Sequence, residues 1–193
     1  MPIEVDRDAR HLAVVTAARR LIVDGGLAAV TFRNLARELQ CSTMAISYYF
    51  PTMNDVLLAT YRHVATTTSH RRETLIAQGH ADPLSFFEEI LPLGRERFDD
   101  WKVWMCFWTS ALSDPLLARE QKERSQSTCE QLARALISAG WAESKAHLQA
   151  RAVMTAIYGI ALQAIFDPEQ WPASAQRAAL RGALGLMGDA QAA

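Results

Sequence analysis

Net charge is almost absent from this chain. Its 193 residues carry 20 Lys and Arg against 21 Asp and Glu, and residues 1–60 hold six of each sign. No basic tail or run announces a nucleic-acid partner, so any DNA contact must lean on hydroxyls and helix N-termini more than on long-range attraction. Cysteine is scarce and odd in number. Cys41, Cys106 and Cys129 lie far apart with no C-x-x-C, which excludes a disulfide framework and leaves free, at least partly buried thiols in a reducing compartment. Any redox-sensing role would fall to Cys41, in a turn. The opening MPIEVDRDARHLAVV lacks a signal peptide's apolar core. The most apolar run, 152–166, is broken by Thr155 and Gln163 and is shorter than the ~20 residues of a membrane span. A soluble, cytoplasmic protein is expected. The catalytic patterns G-x-S-x-G and H-E-x-x-H, a glycine-rich phosphate loop and a paired Cys/His set are all missing, so neither an enzyme nor a cofactor is expected. His63 and His70 lie seven apart with no third ligand at fixed spacing, which argues against a metal site. Repeats, low complexity and strand-like alternation are also lacking, which leaves an all-α fold.

What is present centres on residues 31–50, TFRNLARELQCSTMAISYYF. Phe32, Leu35, Ala36 and Leu39 fall at i, i+3, i+4 and i+7, the apolar face of a helix. Thr31 is placed to cap it. Leu39-Gln40-Cys41 makes a turn, and Ser42 caps a second helix in which Ile46, Tyr49 and Phe50 face inward. Thr43, Met44, Ser47 and Tyr48 are left outward, and that mixture of hydroxyls and apolar groups suits a DNA groove. Two short helices about a tight turn form a helix-turn-helix with the second helix as reader.

The run LARELQCSTMAISYYFPT resembles the DNA-binding signature of the tetracycline-repressor (TetR) family, through Thr31, Arg33, Leu35, Ala36, Ser42, Ile46, Tyr49 and Phe50. The ISYYF ending most resembles the BetI-type branch. Two positions depart from the pattern. Gln40 stands where the turn usually has glycine, and Met53 where a phosphate-binding lysine is usual. The DNA-binding set expected is Thr43, Met44 and Tyr48 on bases, with Thr31, Ser42, Ser47 and Tyr49 on phosphates and Arg33 as a further phosphate contact.

Along the chain, Asp6 or Asp8 can cap a first helix that runs to about Asp24, buries Val14, Ala18, Leu21 and Ile22, and stops at Gly25-Gly26. Arg10 or His11 near its start could touch a phosphate, with solvated surface the plainer reading. Asn54 with Asp55 starts a helix expected to reach Gln78, and the polar run from Thr66 to Arg72 reads as a solvated face of it. Asp82-Pro83 starts another helix, and Pro92 and Gly94 break or kink the chain beyond it. Trp101, Trp104, Phe107 and Trp108 crowd a short helix. Ser113-Asp114-Pro115 opens a long helix with Cys129, Leu132, Ala133 and Leu136 on one face and Gly140 as its stop. Ser144 opens a helix with a broad stripe (Val153, Ala156, Ile157, Ile160, Ala161, Ala164) that Asp167-Pro168 ends. A last helix carries Leu180, Ala183, Leu184 and Met187. About nine helices result, in a helix-turn-helix domain over 1–53 and a helical ligand-binding and dimerisation domain over 54–193, linked by helix 54–78.

RFDDWKVWMCFW and IYGIALQAIFDPE resemble the BetI-type C-terminal domain. That resemblance implies a homodimer through the last two helices as a four-helix bundle. Ala156, Gly159, Ala164, Gly182, Ala183 and Gly185 would allow the close approach, although the same faces can close a monomer core. The function implied is a homodimeric repressor, released from a palindromic operator by a small molecule. The alternative is a helical ligand-binding or scaffold protein that has lost DNA binding. Trp101, Trp104, Phe107, Trp108 and Tyr158 are the candidate pocket walls. The BetI type answers choline, and aromatic faces attract quaternary ammonium, with Glu88, Glu89 and Asp100 as conceivable counter-charges. The i, i+3, i+7 spacing of the aromatics favours core packing, and solvated surface is the plainer reading of the three acids.

Overall fold

A computed structural model describes residues 3–77 and 82–185, with side chains described over 7–75 and 82–185. Among these residues there are nine α-helices and one 3₁₀ turn: α1 Ile3–Gly25, the turn Leu27–Ala29, α2 Phe32–Glu38, α3 Thr43–Ser47, α4 Met53–Ala77, α5 Pro83–Glu88, α6 Gly94–Ala111, α7 Pro115–Ser138, α8 Glu143–Phe166 and α9 Ala173–Gly185. They divide into two compact units, Met1–Thr67 with Lys102–Ala118 and Thr68–Trp101 with Arg119–Ala193. Helices α4, α6 and α7 each run unbroken from one unit's residues into the other's.

The first unit closes on a core of Val14, Ala18, Ile22, Leu35, Ile46 and Phe50, with Val56, Leu57, Tyr61 and Phe107. The Tyr61 and Phe107 rings stack at 3.8 Å. Helix α2 is capped by Thr31, whose hydroxyl accepts from the Asn34 N–H at 3.1 Å, and α3 by Ser42, which accepts from the Ala45 N–H at 3.1 Å. Both caps satisfy first-turn donors that the helix cannot pair internally. The turn between the helices is a complete Schellman closure. The Cys41 N–H donates to the Ala36 carbonyl at 3.0 Å and the Gln40 N–H to the Arg37 carbonyl at 3.3 Å. Gln40 occupies the left-handed position at φ 50°, where glycine is unstrained and an L side chain costs about 1–2 kcal/mol. The turn therefore forms without glycine, at a local cost. After subtracting glycine's own entropic penalty, Gln40→Gly should stabilise the protein by about 0.5–1 kcal/mol and raise Tm by roughly 1–4 °C in a thermal melt.

Several helix starts differ from the sequence expectation. Helix α1 begins at Ile3, so Asp6 and Asp8 lie within it and not at its start. Helix α4 is started by Thr52 and not by Asn54: Thr52 N donates to Asp55 Oδ2 at 2.8 Å while Asp55 N donates to Thr52 Oγ1 at 3.2 Å. This reciprocal box satisfies two orphan donors at once. Helix α8 starts one residue before Ser144, behind Ala142, which offers no side-chain cap. Asp82 and Asp114 do cap as expected, accepting from Ser85 N and Leu117 N. The aromatic helix α6 has 18 residues and is not short. Gln78 and Met187 lie outside the described residues.

In the second unit α8 packs on α9 and α5 on α9. Helix α8 is long and apolar enough to cross a membrane by length and composition, but Val153, Ile157, Ala161 and Ala164 are buried as a core face. Gly159, Leu162 and Phe166 lie on its exposed side.

Candidate nucleic-acid interface

Helix α3 is held from below by Ile46, 1% exposed, and Phe50, 2% exposed. The apolar spacing that anchors it thus turns the other side chains outward. Thr43, Met44, Ser47 and Tyr48 are all exposed, and Met44 and Tyr48 reach 78% and 81%. An isolated Met or Tyr on a surface needs no explanation, but two on one turn among hydroxyls form an apolar ridge of the kind that packs on thymine methyls. The Tyr48 ring stands edge-on to Tyr49 at 5.0 Å and 88°, which supports its upright position. Tyr49 itself is half-buried.

The hydroxyls retain bonding capacity. Thr31 and Ser42 use their oxygens as cap acceptors, so each O–H hydrogen remains available to a phosphate. Ser47 donates to the Met44 carbonyl at 3.3 Å and keeps acceptor capacity. The cations are less uniform. Arg37 Nη2 is engaged with Asn34 Oδ1 at 2.9 Å and Arg20 pairs with Glu38 at 3.4 Å. Arg33 is exposed and has no hydrogen bond or ion pair among the described residues, which leaves its guanidinium available for a phosphate. Met53 is half-buried against the core, so that position is hydrophobic packing in this chain and offers no cation.

His11 is not the solvated residue expected. Its ring lies 4.2 Å from Phe50, and burial, then the Arg7 charge, lower its pKa against the opposing pull of Asp8. Asn34, passed over in the sequence, donates to the Ala29 carbonyl at 2.8 Å and so ties the entry of α2 to the preceding 3₁₀ turn. Two long-range bonds within this unit had no sequence signal. Lys102 on α6 donates to the Val23 carbonyl near the end of α1 at 3.2 Å, and Asn54 on α4 donates to Asp114 before α7 at 2.6 Å.

The predicted pocket walls are distributed between the units. Trp101 and Tyr158 meet in the second, edge to face at 6.1 Å. Trp101 is 1% exposed, and its indole N–H donates to the Ile90 carbonyl at 2.7 Å. Tyr158 hydrogen-bonds Ser125, while burial raises its pKa. Phe107, fully buried, with Trp104 and Trp108 beside it, belongs to the core of the first unit. A polar cavity of about 440 Å³ in the second unit is lined by Ser125, Gln126, Cys129, Glu130, His147 and Arg151. Cys129, like Cys41 and Cys106, is free and half-buried, and burial raises its pKa against the pull of Arg151. Glu88, Glu89 and Asp100 are not solvated: Arg177 holds Glu88 at 2.9 Å, Arg97 holds Glu89 at 2.8 Å, and Arg71 holds Asp100 at 3.2 Å. Among the described residues no three His, Cys, Asp or Glu converge to hold a metal ion.

A capped helix pair around a Schellman turn, presenting an exposed ridge from its second helix, defines a helix-turn-helix DNA-binding protein. Comparison with known proteins agrees. Residues 14–60 match the model of the tetR family of bacterial regulatory proteins, and residues 80–188 that of the BetI-type transcriptional repressor C-terminal domain. The HTH-type transcriptional regulator BetI of Burkholderia lata is 30% identical over 145 residues, covering 67% of this chain and 71% of the relative. A Rhodococcus transcriptional regulator superposes with a TM-score of 0.82 at 22% identity, over 91% of this chain and 94% of the other. A transcriptional regulator from Saccharomonospora viridis, solved in complex with choline, does so with a TM-score of 0.74 at 24% identity, over 91% and 95%. The chain belongs to the TetR family, in its BetI-type branch. It is a helix-turn-helix DNA-binding transcriptional regulator.

Proposed function

We infer that two copies of this chain place two α3 helices in successive major grooves of a palindromic operator, repressing transcription in the cytoplasm until a small molecule bound within 54–193 releases them. Residues 1–53 serve as the reading domain. Thr43, Met44 and Tyr48 contact base edges, while Thr31, Arg33, Ser42, Ser47 and Tyr49 fix the backbone. The observation that carries this reading is the pair Met44 and Tyr48, exposed on a helix whose opposite face is locked by Ile46 and Phe50. The intact turn at Gln40 speaks against a chain whose DNA-binding domain has decayed.

Dimerisation is assigned to α8 and α9. Gly159, Gly182 and Gly185 have nothing within 4 Å of where a Cβ would stand, and Leu162 and Phe166 are 46% and 74% exposed. Small residues beside unpartnered apolar groups suit close helix–helix contact with a second copy. Ala164 does not take part, because it is buried in its own chain at 1% exposure. The spacing of the reading helices must match the ≈ 34–36 Å between successive grooves, and a ligand that prefers a mismatched spacing depopulates the bound state. Helices α4, α6 and α7 are the covalent routes for that change. Lys102–Val23 and Asn54–Asp114 fasten these helices to the reading domain and to one another.

Selection of bound sequences from random duplexes, with purified protein at physiological salt, tests the reading. An inverted repeat with half-sites one helical turn or more apart is expected. Folded protein that enriches no sequence would favour a ligand-binding or scaffold role.

A further inference from the structure

The run Thr66–Arg72, which reads as a solvated face in the sequence, is partly interior: Thr68 is 2% exposed and Arg72 4%. The Arg72 guanidinium lies 5.4 Å from the Phe86 ring centroid. Its Nη2 donates to Gln131 Oε1 at 2.9 Å and to Ser69 Oγ at 3.3 Å. Its Nε is buried with no hydrogen-bond partner. Among the described residues no carboxylate stands at ion-pair distance from it. The neighbouring Arg71 has three, Glu89 at 3.4 Å, Glu96 at 3.0 Å and Asp100 at 3.2 Å. Glu89 is further shared with Arg97, and Glu88 is taken by Arg177. Those four acids are therefore committed to other arginines, Glu73 lies beside His70 at 3.8 Å, and the contacts of Arg72 itself are a neutral amide, a hydroxyl and an aromatic face.

A buried charge without a hydrogen-bonded counter-ion is expensive to maintain. The charge nevertheless persists. Burial, followed by repulsion from Arg71, lowers the Arg72 pKa to about 10, with Glu89 and Glu73 opposing at longer range and Arg124 adding to the depression. The side chain thus remains cationic at neutral pH with its buried Nε donor unused.

We propose that Arg72 is the anion-recognition residue of the effector site, and that the effector is a small organic carboxylate whose oxygen takes the unused Nε. This rests on the reading of the second unit as ligand-binding. A carboxylate suits the single buried N–H beside Phe86 because it brings one charge and can carry an apolar body, whereas a phosphate dianion would bring a second charge into the interior. A charge-assisted bond to guanidinium is about twice as strong as a neutral one.

Thermal unfolding of the purified full-length protein tests this, with millimolar sodium hexanoate or sodium benzoate compared with hexanamide, choline chloride and sodium chloride at matched ionic strength. Both carboxylates should raise the wild-type Tm by several degrees while hexanamide and sodium chloride do not, since only a ligand of the native state stabilises it. Arg72→Gln should weaken carboxylate binding at least about tenfold, with Arg72→Lys retaining part of it. If Arg72→Gln loses its helical circular dichroism, the contrast of hexanoate with hexanamide on the wild type decides. No shift from either carboxylate, an equal shift from hexanamide, an undiminished shift in folded Arg72→Gln, or stabilisation by choline alone overturns the proposal. No DNA enters the assay, so its failure is separable from that of the repressor reading. A protein that selects an operator but ignores carboxylates refutes only the role of Arg72, and one that binds carboxylates but selects no duplex refutes only the operator.

Discussion

The double substitution Leu162→Glu and Phe166→Glu should yield a folded monomer that binds its operator at least about 10³-fold more weakly. Both side chains are exposed in the isolated chain, so glutamates are solvated there and cost the monomer little; surface changes of this kind usually stay within about ±0.5 kcal/mol. In a dimer through α8 and α9 the same positions would become interior, and two unpaired carboxylates from each copy would each forfeit several kcal/mol of hydration. A monomer engages one half-site, which removes most of the margin of about 10³ or more that separates specific from non-specific binding. Sedimentation velocity reads the mass and fluorescence anisotropy the affinity. A variant that sediments as a dimer and binds normally places the interface on other helices.

Tyr48→Ala comes next in size. It should lower operator affinity by about 10- to 100-fold, the equivalent of about 1–3 kcal/mol for one base contact. At 81% exposure the ring contributes little to the core, and its only ring neighbour among the described residues is Tyr49, so Tm should move by no more than a degree or two. The loss should also be sequence-dependent, large on the selected operator and small on random duplex. Arg33→Ala provides the contrast: as a phosphate contact it should weaken all sequences alike and reduce the salt slope by about one unit. A Tyr48→Ala variant that binds the operator normally, or loses all sequences equally, removes Tyr48 from base readout.

The local parts of this fold are legible in the sequence and the tertiary parts are not, and the division has a physical basis. Thr31 and Ser42 cap as expected because an N-cap hydroxyl answers to a backbone N–H three residues away. The inward Ile46 and Phe50 and the outward Met44 and Tyr48 obey helical period alone. Asp6, Asp8, Asn54 and Ser144 misplace helix starts by a few residues because several neighbouring side chains can cap, and packing or a reciprocal partner such as Asp55 on Thr52 decides among them. The run 66–72 looks solvated because its residue types are polar. Its burial depends on Gln131 and Phe86, 59 and 14 residues away from Arg72 in sequence. Glu88, Glu89 and Asp100 look solvated for the same reason, since the arginines that engage them are distant in the chain or on other helices. Among the aromatics, spacing places Trp101 and Phe107 in cores but does not reveal that they belong to the cores of different units.

Hydroxyl-radical footprinting combined with guanine-N7 methylation interference on the selected operator tests most directly the central claim, that two α3 helices read one operator from its major groove. Two protected patches on one face of the duplex, centred one helical turn or a multiple of it apart, with N7 interference inside each, are the predicted result. A single patch, or protection without N7 interference, would contradict it.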